Sequence, residues 1–226
     1  MPVIEARAVS HRYGARSVLD GVDVRLTEQR VGIVGANGSG KSTFVRMVNG
    51  LVIPSDGSVT VDGLDPRREG REVRRRVGFC FTDPDAQIVM PTVAEDVAFG
   101  LRRRGLSKAQ ARERVEAALV AYGLAGHADH PAHLLSGGQK QMLALASVLV
   151  TEPDVLVMDE PTTLLDLRNA QLVSAVVAGL AQQVLLVTHH LDLVAEFDRV
   201  LVFDEGRLVC DDVPGVAVDH YRKLMA

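Results

Sequence analysis

The sequence predicts an α/β chain: a mainly parallel sheet with an antiparallel β edge, interrupted by an inserted α-helical subdomain. Three observations carry this expectation. The apolar run Val31-Gly32-Ile33-Val34 leads into a glycine-rich loop and then into Phe44-Val45-Arg46-Met47-Val48, a strand, loop and helix in order. Strand-like runs recur at residues 154–158 and 184–188 with a helical stretch, residues 169–181, between them. Two capping boxes, Thr92-Val93-Ala94-Glu95 and Ser107-Lys108-Ala109-Gln110, fall together in the middle third. We expect one domain over residues 1–226, with its core at 1–82 and 151–226 and the helical subdomain at about 83–150.

The remaining elements follow in order. Residues 3–26 alternate short β-rich segments with turn signals at Tyr13-Gly14 and Asp20-Gly21, the expected antiparallel edge. Pro54-Ser55-Asp56-Gly57 reads as a turn, residues 58–61 as a strand and Asp62-Gly63 as a second turn. Arginines at 67, 68, 71, 74, 75 and 76 read as a solvated face with snorkelling side chains, and Val77-Gly78-Phe79-Cys80-Phe81 as a buried strand. After Ser107, the residues Ala111, Val115, Ala118, Leu119 and Tyr122 share one helix face and Gly123 is a natural stop. Residues 200–203 and 207–210 form a hairpin around Asp204-Glu205-Gly206.

Composition bounds the function. With 226 residues and 47% hydrophobic content the chain can bury a substantial core. A net charge of −4 offers no electrostatic footprint for nucleic acid, and no nucleic-acid partner is expected. Cys80 and Cys210 are far apart in sequence and suit a reducing compartment. The N-terminus lacks the basic and apolar regions of a signal peptide and no apolar run is long enough to span a bilayer, so a cytoplasmic location is expected. His127, His130 and His133, with Asp129, raise a metal site, but Pro131 interrupts the run and an exposed loop is the favoured reading.

The motifs specify chemistry. Gly35-Ala36-Asn37-Gly38-Ser39-Gly40-Lys41-Ser42-Thr43 fits G-x-x-x-x-G-K-[ST], the phosphate-binding loop of P-loop NTPases. Its glycines let backbone N–H groups turn inward on phosphates; Lys41 is placed to reach the β- and γ-phosphates and Ser42 to ligate Mg²⁺. The strand at 155–158 ends in Asp159-Glu160, one carboxylate for Mg²⁺ and a second to deprotonate an attacking water. His189, just after the 184–188 strand, is placed to meet a γ-phosphate, with His190 beside it as a rival. Leu135-Ser136-Gly137-Gly138-Gln139 precedes an apolar helical run; Ser136 is a candidate N-cap and the glycines leave N–H groups open to an anion. Tyr13 offers a flat ring to a purine base, although packing is commoner for a lone strand tyrosine.

This set, with Thr162-Thr163-Leu164-Leu165-Asp166 and Val187-Thr188-His189, resembles the nucleotide-binding subunit of ATP-binding-cassette proteins over nearly the whole chain. The resemblance implies ATP as substrate with Mg²⁺, and a head-to-tail homodimer in which residues 135–139 of one subunit close over ATP held by the other. It also implies Glu160 as general base, His189 as γ-phosphate contact, Asp166 as a dimer-interface residue and Tyr13 as the adenine platform. One position departs from the family: Thr82 stands where a glutamine usually reaches Mg²⁺ and the attacking water, and Gln87 comes five residues later, leaving that metal contact open.

Residues 82–100 narrow the subgroup. Thr82-Asp83-Pro84-Asp85-Ala86-Gln87 and Pro91-Thr92-Val93-Ala94-Glu95-Asp96-Val97-Ala98-Phe99-Gly100 are similar to a stretch of the ATPases of energy-coupling-factor importers. That likeness implies a multispan coupling protein and a small substrate-binding membrane protein as partners, and a peripheral position on the inner face of the cell membrane. The chain's compactness and its wording in this stretch are similar to the ATPase of biotin importers, with a cobalt or nickel importer as the alternative. Arg102, Arg103 and Arg104 could face that partner or lipid phosphates, with a solvated helix end equally open. Two rivals remain: a soluble cassette ATPase without a transport role, and a non-hydrolytic nucleotide-gated regulator.

Overall fold

The computed structural model describes residues 1–102 and 104–226. Of the arginine run noted above, Arg103 lies outside the described residues. In chain order the elements are β1 (Ile4–Tyr13), β2 (Arg16–Leu26), β3 (Arg30–Gly35), α1 (Lys41–Val48), β4 (Asp56–Val61), α2 (Pro66–Arg76) and β5 (Val77–Cys80). They continue as α3 (Val93–Leu101), α4 (Lys108–Ala121), α5 (Gly137–Leu149), β6 (Val155–Asp159), α6 (Leu167–Gly179), β7 (Gln183–Val187), β8 (Arg199–Asp204), β9 (Arg207–Asp212) and α7 (Pro214–Leu224). Two compact units result: Met1–Phe79 with Asp154–Glu160 and Ala181–Ala226, and Cys80–Pro153 with Pro161–Leu180.

The first unit carries both sheets. An antiparallel sheet of order β2-β1-β4 is the expected edge. Its hairpin pairs Tyr13 with Arg16 across a two-residue turn that Gly14 opens at φ 60°. The larger sheet has the order β5-β6-β7-β3-β8-β9. Its strand β3 runs parallel to both β7 and β8, and β8 and β9 close it as an antiparallel hairpin. Every residue of β6 and β7 is buried, the pattern of a parallel sheet covered on both faces. This order sets the C-terminal ends of β3, β6 and β7 side by side, where ligands bind in open α/β sheets.

Two helices go beyond the sequence reading. The arginine-rich run is α2, opened by Asp65, whose carboxylate accepts from Arg67 N at 2.8 Å, and by Pro66 at its start. Only Pro66 and Val73 of α2 are buried, and three arginines in its last turn favour the negative helix end. Helix α7 follows the final hairpin and packs its Ala217 and Val218 inward, against β8 and β9.

In the second unit both expected capping boxes form. Thr92 N donates to Glu95 Oε2 at 3.2 Å and Ser107 N to Gln110 Oε1 at 2.9 Å, each returned by the N3 backbone N–H. Helix α4 stops near Gly123, at φ 71°. Val93, Val97 and Leu101 of α3 meet Val115 and Leu119 of α4 and Leu143 and Ala146 of α5 in one apolar core. Helices α3 and α5 touch closely: a Cβ on Gly100 would stand 2.7 Å from the Ser147 carbonyl oxygen.

Asp96 is buried in this core and accepts three hydrogen bonds, from Val89 N at 2.9 Å and Met90 N at 3.0 Å on one oxygen and from Ser147 Oγ at 2.8 Å on the other. It ties the 89–90 backbone to α3 and α5. Asp96→Ala strands three donors and should lower the unfolding free energy by about 2–4 kcal/mol. Asp96→Asn, which keeps an acceptor for the two amides and can donate to Ser147, should cost clearly less; urea denaturation followed by circular dichroism compares them. The cysteines give a second check. Burial pushes the Cys80 thiol up to about 12, against a hydrogen bond from Gln87, whereas Cys210 is only partly buried. Iodoacetamide at pH 8 should therefore modify Cys210 slowly and spare Cys80 until denaturant is added, as peptide mass mapping would read.

Candidate functional site

The site in the first unit is built on the turn between β3 and α1. Gly35, buried at the end of β3, has φ 149°, and a Cβ there would collide with the Phe203 carbonyl oxygen. Gly38 has φ 81° and Gly40 φ 101°, in the left-handed region that side chains resist. Ser39 N donates back to Ala36 O at 3.2 Å, which closes the turn. Gly40 is the N-cap of α1 and supplies no side-chain cap, so the opening N–H groups of the helix are left to an anion. Ser39 Oγ is buried without a hydrogen-bond partner, an unspent polar atom within the loop.

Lys41 is buried and folds back on the loop, its Nζ donating to Gly35 O and Ala36 O at 2.7 Å each. Burial holds its pKa below the usual lysine value, and the carboxylates of Glu160 and Asp159 oppose that shift. One helical residue later, Ser42 Oγ donates to Asp159 Oδ1 at 2.7 Å. Arg46 takes the other oxygen, Oδ2, at 2.9 Å. Asp159 is 1% exposed, so both of its oxygens are held by donors inside the protein.

Glu160 follows in a left-handed backbone conformation, φ 52°, which is costly for a non-glycine residue. Its amide donates to Val187 O at 3.0 Å, anchoring the end of β6 to the end of β7. The carboxylate Oε2 lies 3.3 Å from His189 Nδ1. The neighbouring ring of His190 lies tilted on that of His189, 4.1 Å between centroids. Tyr13, Arg16, Lys41, Ser42, Thr43 and Glu160 line a cleft of about 310 Å³, with Asn37 and Gly38 at its wall. Tyr13 is 53% exposed, and its ring meets His11 edge-on at 4.6 Å.

The donor set fits the expected groups. Ser42 hydroxyl and Asp159 carboxylate are hard oxygens of the type Mg²⁺ selects, and a cleft combining inward N–H groups, a lysine and an aromatic ring suits a nucleoside triphosphate. Arg16 and Arg46 were missed by the sequence reading. Arg46 stands four residues after Ser42 on the same helix face, a spacing that could have singled it out; Arg16 is the cross-strand partner of Tyr13.

The other candidates belong to the second unit. Ser136 is the N-cap of α5, with Ser136 N donating to Gln139 Oε1 at 2.9 Å and Gln139 N to Ser136 Oγ at 3.3 Å. Leu135 and Gly138 are buried, Gly137 is exposed, and a Cβ on Gly138 would overlap the Asn169 carboxamide. Asp166 caps α6, accepting from Asn169 N at 2.8 Å. Thr82 is half-buried in the bend after β5. Gln87 has both amide arms engaged: Phe81 N donates to its Oε1 at 3.2 Å, and its Nε2 donates to Ala144 O at 3.0 Å. Among the described residues no group of three or more His, Cys, Asp or Glu side chains is arranged to hold a metal ion, and His127 and His130 face one another at 2.8 Å between Nδ1 atoms. No described helix is long and apolar enough to cross a membrane.

Known proteins share this architecture. The ABC transporter family profile matches residues 19–163. The biotin transport ATP-binding protein BioM of Rhizobium etli is 47% identical over 223 residues, 99% of each chain. The energy-coupling factor transporter ATP-binding protein EcfA1 of Symbiobacterium thermophilum is 45% identical over 92% of this chain and 78% of its own. Among solved structures, cbiO1 of Clostridium perfringens, part of the ABC transporter complex cbiONQ, superposes with TM-score 0.84 at 32% identity, covering 98% of this chain and 93% of that one. The chain belongs to the ABC transporter family, as an ATPase subunit.

Proposed function

We propose that this chain is the ATP-hydrolysing motor of an energy-coupling-factor importer, that its cargo is biotin, and that it works as a head-to-tail homodimer on the inner face of the membrane. The convergence of the phosphate loop, Asp159, Glu160 and His189 at the ends of β3, β6 and β7 carries the motor reading. The full-length likeness to a biotin transport ATP-binding protein supports the cargo.

In this reading the adenine stacks on Tyr13, and the N–H groups opening α1 receive the phosphates together with Lys41, which exchanges its carbonyl partners for phosphate oxygens. Ser42 and Asp159 would hold Mg²⁺, which when bound neutralises charge on the phosphate oxygens. Glu160 accepts the proton of the attacking water, and its contact with His189 fixes the imidazole for the γ-phosphate. Residues 135–139 of a second copy cover the nucleotide, and Asp166 lies at that dimer interface. ATP favours the closed dimer, hydrolysis releases it, and the helical unit passes the change to a multispan coupling protein bound to a substrate-binding membrane protein.

Glu160→Gln should keep ATP affinity within about twofold while turnover falls by a factor of about 100 or more; unchanged turnover rejects Glu160 as the base. Tagged chain recovered from gently solubilised native membranes should bring down both membrane partners, with biotin bound to the smaller. Transition-metal ions there would instead identify a cobalt or nickel importer, and recovery without membrane partners would refute the importer.

A further inference from the structure

A hydrogen-bonded chain in the second unit ends on residues 135–139, and its polarity can be worked out from one fixed point. Ser136 N faces Gln139 Oε1. A backbone N–H can only donate, so the carboxamide must turn its oxygen there and its NH₂ away. That NH₂ lies 3.0 Å from His127 Nε2, which must accept with its lone pair. A neutral imidazole whose Nε2 accepts carries its proton on Nδ1. His127 Nδ1 in turn lies 2.8 Å from His130 Nδ1. With the proton on His127, the His130 nitrogen accepts, and His130 carries its own proton on Nε2. One direction, from Gln139 through His127 to His130, satisfies every contact with both rings neutral.

The chain bears on the capping box. Gln139 N donates to Ser136 Oγ at 3.3 Å, a long bond, so the box depends on the carboxamide being held in register. With Ser136 Oγ accepting from inside, its O–H is left to donate outward from an exposed position. Both arms of the Gln139 carboxamide are engaged within its own subunit, which assigns the residue an internal task.

We propose that His127 is a positioning residue for the 135–139 loop. It accepts the Gln139 carboxamide proton and keeps the capping box closed, so that Ser136 O–H and the opening N–H groups of α5 are presented to the nucleotide of a second copy of this chain; His130 accepts from the Nδ1–H that this leaves on His127. The inference rests on the reading that this loop acts on ATP held by a second copy, and the test separates the two.

The first arm is ¹⁵N–¹H imidazole NMR on the full chain without nucleotide. His127 is expected as the Nδ1–H tautomer and His130 as the Nε2–H tautomer, with Gln139→Met releasing His127 from that state. An Nε2–H His127 overturns the proposal. The second arm uses a Glu160→Gln background, in which ATP should trap the closed dimer, and reads the dimer dissociation constant by light scattering. His127→Leu, which fills the space without an acceptor, should weaken the dimer about tenfold, each of two sites losing one hydrogen bond, with monomer ATP affinity unchanged. His127→Gln, which restores an acceptor near the Nε2 position, should recover most of that loss. Equal dimers for His127→Leu and its parent, or no advantage of Gln over Leu, overturns the positioning role. Ser136→Ala is the control for the underlying reading: if it leaves the dimer untouched, the loop does not act in trans. The NMR arm then decides the hydrogen-bonded chain alone, and the proposed consequence falls.

Discussion

The nucleotide site depends on one backbone constraint, the need to turn from β3 into α1 with the N–H groups facing inward. Gly35 and Gly40 adopt conformations that a side chain resists, and at Gly35 a Cβ would also strike the backbone of β8. Once that turn is made, the positions of the functional side chains follow. Lys41 is the first residue of α1 and falls back across the loop, Ser42 meets the end of β6, and Arg46 reaches the same carboxylate one helical turn later. The parallel pairing of β3 with β7 and of β7 with β6 then fixes how far His189 and Glu160 stand from the loop.

Charge is arranged around that turn so that neither Asp159 nor Lys41 is buried without a partner. Asp159 would be expensive to bury alone, and its two oxygens are divided between a neutral hydroxyl and a guanidinium. Lys41 is also taken out of water, and burial depresses its pKa, but it has two carbonyls to bond and two carboxylates nearby. A triphosphate entering this site would supply a stronger partner for Lys41 than the carbonyls do. Lys41 is thus satisfied without ligand by bonds that are weaker than those a ligand can make.

Much of this was legible because the informative motifs are local. A loop that must turn tightly, a strand that must end in acid and a helix that must be capped each fit within a few consecutive residues, so Gly35 to Thr43, Asp159, Glu160 and the boxes at Thr92, Ser107 and Ser136 could be read directly. What escaped depends on partners distant in sequence. Arg46 shares a helix face with Ser42, but its partner Asp159 and the pairing of Arg16 with Tyr13 emerge only when β6 and the β1–β2 hairpin are in place. The three histidines read as an exposed loop because Pro131 interrupts their run, and His127 acquires a task only when Gln139, twelve residues on, turns its amide toward it. Helix α7 lacked a capping side chain to announce it, since Val213 is its N-cap.

Gln87 bears directly on the departure at Thr82. A glutamine that senses nucleotide needs a free end, yet Gln87 bonds Phe81 N with one arm and Ala144 O with the other, and its side chain also meets the Cys80 thiol. Moving it would break both hydrogen bonds, at about 0.5–1.5 kcal/mol for each. Asp85, two residues earlier, adds a second fastening through a salt bridge to Lys140, 2.7 Å away on α5. The 84–87 turn is therefore bound to α5, the helix that opens at Ser136, by two side chains on the turn, Asp85 and Gln87, which meet the Lys140 side chain and the Ala144 carbonyl of the helix. In the motor reading this makes the segment after β5 part of the body that carries the 135–139 loop. A push on residues 84–87 reaches the α5 N-terminus through Asp85–Lys140 and Gln87–Ala144, with no need for Gln87 to leave its place and act as a ligand.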